Sequence, residues 1–391
     1  MESHYKYLLI GGGTASKSAI KGIRTKDKTG RIGVLCEENS IPYDRSLLSK
    51  ELWGRVNLDD TWRDAMEKNV DFHLASKAII LDIEKREVID QKGDVYFFEK
   101  LLLATGSSPR EFRDESGKVI FFRNLDDYHS LRRLVGKYDN IAISGGSLLA
   151  AELAISISLA DNKVTMIFPD RYLLENLFPL KLSRYLKELY EERGIKIINN
   201  EKVTWVDSLE EQLLVHTENV DFHAFDVVVA CTGTTPRTEL AEMAHLEIND
   251  GIKVNEFLQT SNPDVYAAGD VANFHNPFLK ARLRHEHKDN AIQMGLTAGM
   301  NMVGENIIYE HIPVYNSKLF NHSFDAVGDV TTRWSYVSDW KEEFKKGVFY
   351  YLSMGQVRGV LLWGMPDKVD AARGLIKQEG PFNSMNLVGK I

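Results

Sequence analysis

Short apolar runs recur along this chain, and several of them break off in glycine. The first, Tyr5-Lys-Tyr-Leu-Leu-Ile10, ends in Gly11-Gly-Gly13, and Thr14, Ala15 and Ser16 open a stretch with small residues at helical spacing. This pattern predicts a strand, a tight turn and a helix start. Arg31-Ile-Gly-Val-Leu-Cys-Glu37 then reads as a second strand ending in an acid. The order repeats further along. Asn140-Ile-Ala-Ile-Ser144 runs into Gly145-Gly146 and an apolar helix through Ala154, and Lys163-Val-Thr-Met-Ile-Phe-Pro-Asp170 supplies the next strand and its terminal acid. An internal repeat of this kind marks two copies of one supersecondary unit.

The segments between and after the repeats fill in the architecture. Ile41–Trp53 reads as a loop and then a helix start, and β-like runs follow near Ala78–Ile83 and Val95–Phe98. Lys100-Leu-Leu-Leu-Ala-Thr-Gly106 and Asp226-Val-Val-Val-Ala-Cys-Thr-Gly233 mirror each other as strands ending in glycine. A helical segment around Leu182–Arg193 and a strand at Lys196–Ile198 belong to the second repeat. Asp264-Val-Tyr-Ala-Ala-Gly269-Asp270 returns the chain to the first domain, and a helix holds Ala291–Met302. The last part of the chain is aromatic-rich and alternating, as in Gly347–Leu352 and Val357–Trp363, with a helix from about Lys368. This predicts an antiparallel sheet covered by helix. The expectation is an α/β protein of two interleaved Rossmann-like dinucleotide-binding domains plus a C-terminal α+β domain. The boundaries are 1–126 with 249–311 for the outer domain, 127–248 for the nested one and 312–391 for the last.

The turns carry chemistry. Gly11 can take a backbone conformation closed to residues with a Cβ, and Gly13 lets the backbone approach a pyrophosphate. The helix N-terminus offers N–H groups and a partial positive charge to that anion. Glu37 can accept hydrogen bonds from an adenosine ribose, and Asp270 from a flavin's ribityl hydroxyl. In the second turn Ser147 stands where a bare glycine lets the pyrophosphate touch the backbone, with Ala150 at the helix-packing position.

Composition narrows the partners. A net charge of -8 argues against nucleic acid or an anionic membrane surface. Cys36 and Cys231 are the two cysteines; neither lies in a Cys-x-x-Cys pair and both fall in strands, so they read as buried inert thiols. The Asp44–Lys50 loop has no cysteine, which argues against a disulfide reductase. No signal peptide or long apolar span is visible, and a cytoplasmic location is expected. His285 and His287 invite a metal reading, but no cysteines or carboxylate pair complete a cage, and no metal is expected.

With these segments in order, the chain resembles the ferredoxin reductase-like flavoproteins of the pyridine nucleotide-disulfide oxidoreductase superfamily, closest to their apoptosis-inducing factor branch. The marks are Leu9–Ala15, Leu47-Leu-Ser-Lys-Glu-Leu-Trp53, Phe168-Pro-Asp170, Ala268-Gly269-Asp270, Glu286-His-Lys-Asp289 and Leu361-Leu-Trp363. The resemblance implies FAD in the outer domain and NAD(P)H in the nested one, with electrons leaving for a quinone, a dye or a protein carrier. It matches Gly11, Gly13, Thr14, Ala15, Glu37, Arg45, Lys50, Arg123, Gly269 and Asp270 to FAD positions. Gly145, Gly146, Glu152, Asp170, Gly233, Glu286 and Asp325 match nicotinamide-nucleotide positions, and His287 a position beside the flavin. Lys50 and Glu152 are the candidate catalytic pair: a cation near the flavin's reducing edge stabilises its reduced anion. Asp170 disfavours a 2′-phosphate, which favours NADH, although Arg171 beside it could do the opposite. Leu148 and Asn316 replace aromatic residues that stack on nicotinamide in that branch, so weak nucleotide binding is expected. Trp363, Phe349 and Tyr351 could stack over the flavin, but plain core is favoured for at least two of them. A ferredoxin or rubredoxin reductase is the runner-up, and a flavin-bearing regulatory protein with a degenerate nucleotide site is the rival; a homodimer is compatible with all three.

Overall fold

The computed structural model describes residues 2–54 and 69–391. These form two compact units, the first drawn from residues 2–45, 69–108 and 236–315, the second from 46–54, 109–235 and 316–391.

The first unit is built on a seven-stranded sheet. Strand Glu2–Ile10 lies at its centre, parallel to Ile32–Leu35 on one side and to Val95–Leu103 on the other, and Val265–Ala267 adds in parallel beside the latter. Central strands covered on both faces read as unbroken apolar runs, which is why Leu8, Leu9, Leu101, Leu102 and Val265 are all fully buried. Helix Thr14–Lys26 packs against helix Lys288–Met302. Their backbones meet because a Cβ on Gly22, Gly295 or Gly299 would lie within 2.3 Å of a carbonyl oxygen of the facing helix.

The second unit contains a five-stranded parallel sheet in the order Lys196–Asn199, Lys163–Phe168, Asn140–Ser144, Val227–Ala230, Ile120–Phe121. An antiparallel meander, Val203–Leu209, Gln212–Thr217 and His223–Phe225, accompanies it. The same unit holds an antiparallel C-terminal sheet of five strands, with Lys346–Ser353 paired between Ser335–Glu342 and Gln356–Trp363. Helix Val369–Ile376 packs on Gln356–Trp363. The fold is therefore α/β, with two Rossmann-like sheets and a C-terminal α+β element, as the repeat predicts.

Some expectations move. The helix start expected within Ile41–Trp53 is two short 3-10 turns, Arg45–Ser49 and Glu51–Trp53. The meander and the helix Leu125–Leu134, opened by an Asn124 capping box, were not anticipated. Trp363, Phe349 and Tyr351 are all core, each 1% exposed or less. Trp363 Nε1 donates to the carbonyl of Phe344 at 2.8 Å, and the Tyr351 hydroxyl to that of Leu177 at 2.8 Å.

Candidate functional site

In the first unit the glycine turn is forced by its neighbours. Gly11 has φ +114, and a Cβ there would lie 2.1 Å from the carbonyl oxygen of Ala104, on the loop after the adjacent strand. Ser16, at the third small position, is fully buried and donates its hydroxyl to the Gly11 carbonyl at 2.5 Å, locking the turn from inside. Gly13 differs: a Cβ there would meet nothing within 4 Å among the described residues, and as N-cap of helix Thr14–Lys26 it supplies no side-chain cap. The first N–H groups of the helix therefore receive no side-chain cap from Gly13 and lie on a bare backbone, the geometry an anion selects. Gly269, at φ +81, approaches this turn, since its Cβ would lie 3.1 Å from that of Ala15.

Glu37 follows strand Ile32–Leu35 as expected, but its carboxylate is engaged, pairing with Arg237 and, at 3.1 Å, with Lys77. Burial pushes its pKa up, but the two cations outweigh that and hold it below the ordinary value. Arg45 pairs with Glu38, and Tyr43 donates to the same Glu38 carboxylate at 2.6 Å. Asp270 acts on Arg45 electrostatically, so the structure brings the loop arginine and the strand-ending acid together. Glu286 pairs with Arg284 and accepts from the Ser107 hydroxyl at 3.3 Å. His287 is the N-cap of helix Lys288–Met302; its Nδ1 accepts from the Asp289 backbone N–H, which in the neutral ring leaves the proton on Nε2. His285 has a buried Nε2 with no partner among the described residues, and burial, then the neighbouring His287, push its pKa down to about 3.

That shift predicts acid sensitivity. A histidine depressed in the fold contributes stability that is complete above the unfolded value near 6.5 and is lost as pH falls toward the folded value. We expect about 2 kcal/mol of this to be gone by pH 5. His285→Gln should flatten the pH dependence of thermal unfolding between pH 6.5 and 5, and an unchanged slope would contradict it.

In the second unit the second turn repeats the geometry of the first. Gly145 has φ +136, and its Cβ would lie 2.3 Å from the carbonyl oxygen of Cys231. Gly146 packs on Phe168. Ser147, unlike Gly13, caps its own helix: its hydroxyl accepts from the Ala150 N–H at 3.3 Å and donates to the Cys231 carbonyl at 3.3 Å. Both cysteines are buried beneath these turns, and burial pushes each thiol up to about 12. Gly233 has φ +96 and its carbonyl accepts from the Arg110 N–H at 2.9 Å. Asp170 is raised above the ordinary value by burial and then by Glu175, with Asn176 donating weakly at 3.4 Å. Burial also raises Asp325, against a hydrogen bond from Asn316. The Arg171 guanidinium lies over the Tyr172 ring at 5.2 Å. The Arg123 backbone N–H donates to Asp127 at 2.8 Å.

Lys50 and Glu152, far apart in sequence, form an ion pair at 3.0 Å. Glu152 is 8% exposed. Its carboxylate also accepts from the Ser49 hydroxyl at 2.6 Å and from the Ser317 hydroxyl at 2.5 Å. Neither serine was singled out from sequence. Ser49 lies inside the Leu47–Trp53 stretch that carries the resemblance, but nothing local to Ser317 signals its partner. Arg237 on Glu37 and Arg284 on Glu286 were missed likewise. Among the described residues no group of three His, Cys, Asp or Glu side chains could hold a metal ion, and no helix is long and apolar enough to cross a membrane.

Comparison with known proteins bears on these turns. Residues 5–295 match the model of the pyridine nucleotide-disulphide oxidoreductase family. The chain is 32% identical to apoptosis-inducing factor 1, mitochondrial, of Dictyostelium discoideum, over 98% of this chain and 80% of that protein. It is 28% identical to the ferredoxin–NAD(+) reductase component of the anthranilate 1,2-dioxygenase system of Burkholderia cepacia, over 82% of this chain and 81% of that one. The fold matches the crystal structure of the covalent putidaredoxin reductase–putidaredoxin complex with a TM-score of 0.87, at 23% identity over 95% of this chain and 93% of that one.

Proposed function

The chain belongs to the pyridine nucleotide-disulphide oxidoreductase family, and we propose that it passes electrons from NADH to a quinone, a dye or a protein carrier. It is an FAD-dependent NAD(P)H oxidoreductase; which nucleotide it prefers and what accepts the electrons are the proposal. The observation that supports it best is Gly13, whose bareness no described residue within 4 Å requires, at the N-terminus of a helix whose N-cap supplies no side-chain bond. A pyrophosphate accounts for both features.

In this reading residues 1–126 and 249–311 bind FAD, 127–248 bind the nicotinamide nucleotide, and 312–391 form the C-terminal domain. Bound FAD would supply the redox chemistry, taking a hydride and releasing electrons to the acceptor. The residues of the chain bind and orient. Gly11, Gly13, Thr14 and Ala15 receive the pyrophosphate, Glu37 the adenosine ribose, and Gly269 and Asp270 the ribityl chain, with Arg45 and Arg123 as further contacts. His287, with Nδ1 occupied as an acceptor, has Nε2–H as its donor toward the flavin's pyrimidine oxygen. Lys50 holds a positive charge at the flavin's reducing edge and Glu152 fixes the ammonium. Gly145, Gly146, Asp170, Gly233, Glu286 and Asp325 serve the nucleotide. The Asp170 carboxylate supports NADH over NADPH by repelling a 2′-phosphate, while Arg171 is engaged with Tyr172. A protein carrier of ferredoxin or rubredoxin type is the runner-up acceptor, and a cytoplasmic site of action belongs to the same proposal.

The test is anaerobic addition of NADH to the purified yellow protein, followed by a screen of acceptors. Bleaching of the flavin supports the reading; a folded protein that cannot be loaded with flavin contradicts it.

One observation favours the rival reading of a degenerate nucleotide site. The Ser147 hydroxyl already occupies the Ala150 N–H that a nucleotide pyrophosphate would use. Ser147→Gly removes that competitor and costs the helix only a few tenths of a kcal/mol, because glycine is a tolerated cap. NADH affinity, followed by anaerobic titration, is expected to rise about three- to tenfold, roughly one charge-assisted hydrogen bond. Unchanged or weaker binding would mean that the hydroxyl does not obstruct the phosphates.

A further inference from the structure

We propose that Ser317 is a positioning residue for the Lys50–Glu152 pair, so that a strand of the C-terminal sheet sets where the Lys50 charge sits. This rests on the reading above, in which Lys50 tunes the flavin.

The Ser317 side chain stands in strand Val314–Leu319 and is 7% exposed. Its hydroxyl donates at 2.5 Å to Glu152 Oε1, the same oxygen that pairs with the Lys50 ammonium at 3.0 Å. Ser49 takes the other oxygen, Oε2, at 2.6 Å. The Ser49 carbonyl in turn accepts from the hydroxyl of Ser156, one turn further along the Glu152 helix, at 2.7 Å. The helix Leu148–Ser158 therefore grips the Ser49–Lys50 loop at two points, and Ser317 braces the outer one from a separate strand.

The terminal torsion of a glutamate is broad and roughly two-fold, so a carboxylate bonded through one oxygen alone can swing. Hydrogen bonds to an ionised group are the strong kind. Ser49 and Ser317 bind different oxygens and together fix the carboxylate plane. The ammonium sits where that plane directs it. Without the Ser317 hydroxyl, Oε1 retains only Lys50 among the described partners, and the pair can rotate about the Ser49 contact. For two unit charges about 5 Å apart at an effective dielectric near 20, a displacement of about 1 Å changes an equilibrium constant roughly 2.5-fold.

The experiment equilibrates the flavin-loaded protein with a reference dye under nitrogen and reads the dye ratio, for wild type, Ser317→Ala, Ser317→Thr, Lys50→Met and the double variant Ser317→Ala/Lys50→Met. Thermal unfolding of each is recorded beside it. Ser317→Ala is expected to shift the flavin–dye equilibrium in the same direction as Lys50→Met, by about two- to threefold. Ser317→Thr, which keeps the hydroxyl, should restore the wild-type ratio. In the Lys50→Met background Ser317→Ala should add nothing. A wild-type dye ratio in Ser317→Ala overturns the proposal, as does an equal shift that persists without Lys50. A merely structural serine would lower the unfolding temperature in both backgrounds and leave the ratio unmoved. A wild-type protein that holds no flavin defeats the functional reading first, and this proposal with it.

Discussion

Gly11→Ala is expected to cost the fold and Gly13→Ala only the cofactor, although the two glycines are two positions apart in one turn. At Gly11 the new methyl would stand 2.1 Å from the Ala104 carbonyl oxygen, which is main chain and cannot step aside. The residue would also be held at φ +114, where an L side chain is strained. Strain and overpacking together should cost about 3–5 kcal/mol. At Gly13 the backbone is extended, with φ -103 and ψ -174, and the methyl enters open space. Alanine loses a little as an N-cap and gains a little by restricting the unfolded chain, so stability should stay within about 1 kcal/mol. The methyl nevertheless stands between the backbone and a pyrophosphate, and FAD affinity should fall at least about tenfold. Thermal unfolding of the apo proteins and flavin retained on purification separate the two effects. Full flavin occupancy in Gly13→Ala would contradict the anion site, and an unchanged unfolding temperature in Gly11→Ala would contradict the packing argument.

The same contrast shows which parts of this molecule can be read from its sequence. Gly11 and Gly145 are legible because each is pinned by a carbonyl just past the end of the neighbouring strand, Ala104 and Cys231, so a tertiary constraint leaves a local mark. The buried parallel strands are legible because cover on both faces keeps runs such as Leu101–Leu103 and Val227–Ala230 wholly apolar. The close approach of helices Thr14–Lys26 and Lys288–Met302 is not. Gly22, Gly295 and Gly299 look like ordinary helix-weakening glycines until the facing carbonyls are known. The loop Ile41–Trp53 misleads for another reason. It settles into 3-10 turns, Arg45–Ser49 and Glu51–Trp53, whose tryptophan donates to the Leu48 carbonyl at 2.8 Å. Apart from the Lys50–Glu152 pair, the partners of the candidate site residues were hidden. Glu37, Glu286 and Glu152 could be proposed one by one from motif positions. Arg237, Arg284 and Ser317, which hold their carboxylates, come from segments distant in the chain or carry no motif of their own.

Lys50→Ala should lower the flavin's midpoint potential, and Glu152→Gln should raise it. The two follow from one Coulomb argument with opposite signs. Lys50 brings a positive charge that favours the reduced anion, and its removal at a partly buried position should shift the equilibrium by roughly 1–3 kcal/mol. For a two-electron couple, where about 1.4 kcal/mol corresponds to about 30 mV, that is a fall of roughly 20–65 mV. Glu152→Gln keeps a group of the same shape but removes the negative charge 3.0 Å from the ammonium, so the cation acts less compensated and the potential should rise. Stability should follow a different order. Lys50 is 26% exposed, and when it is cut back the Glu152 carboxylate still accepts from Ser49 and Ser317. The loss should therefore be about 1–3 kcal/mol, below that of a buried ion left without any partner. Lys50→Arg retains the charge and should keep most of the potential, although the broader guanidinium cannot reproduce the ammonium's single contact. Dye equilibration under nitrogen gives the potentials, and thermal unfolding gives the stabilities. If Lys50→Ala and Glu152→Gln leave the potential where it was, the pair is a structural bridge and Lys50 has no part in tuning the flavin.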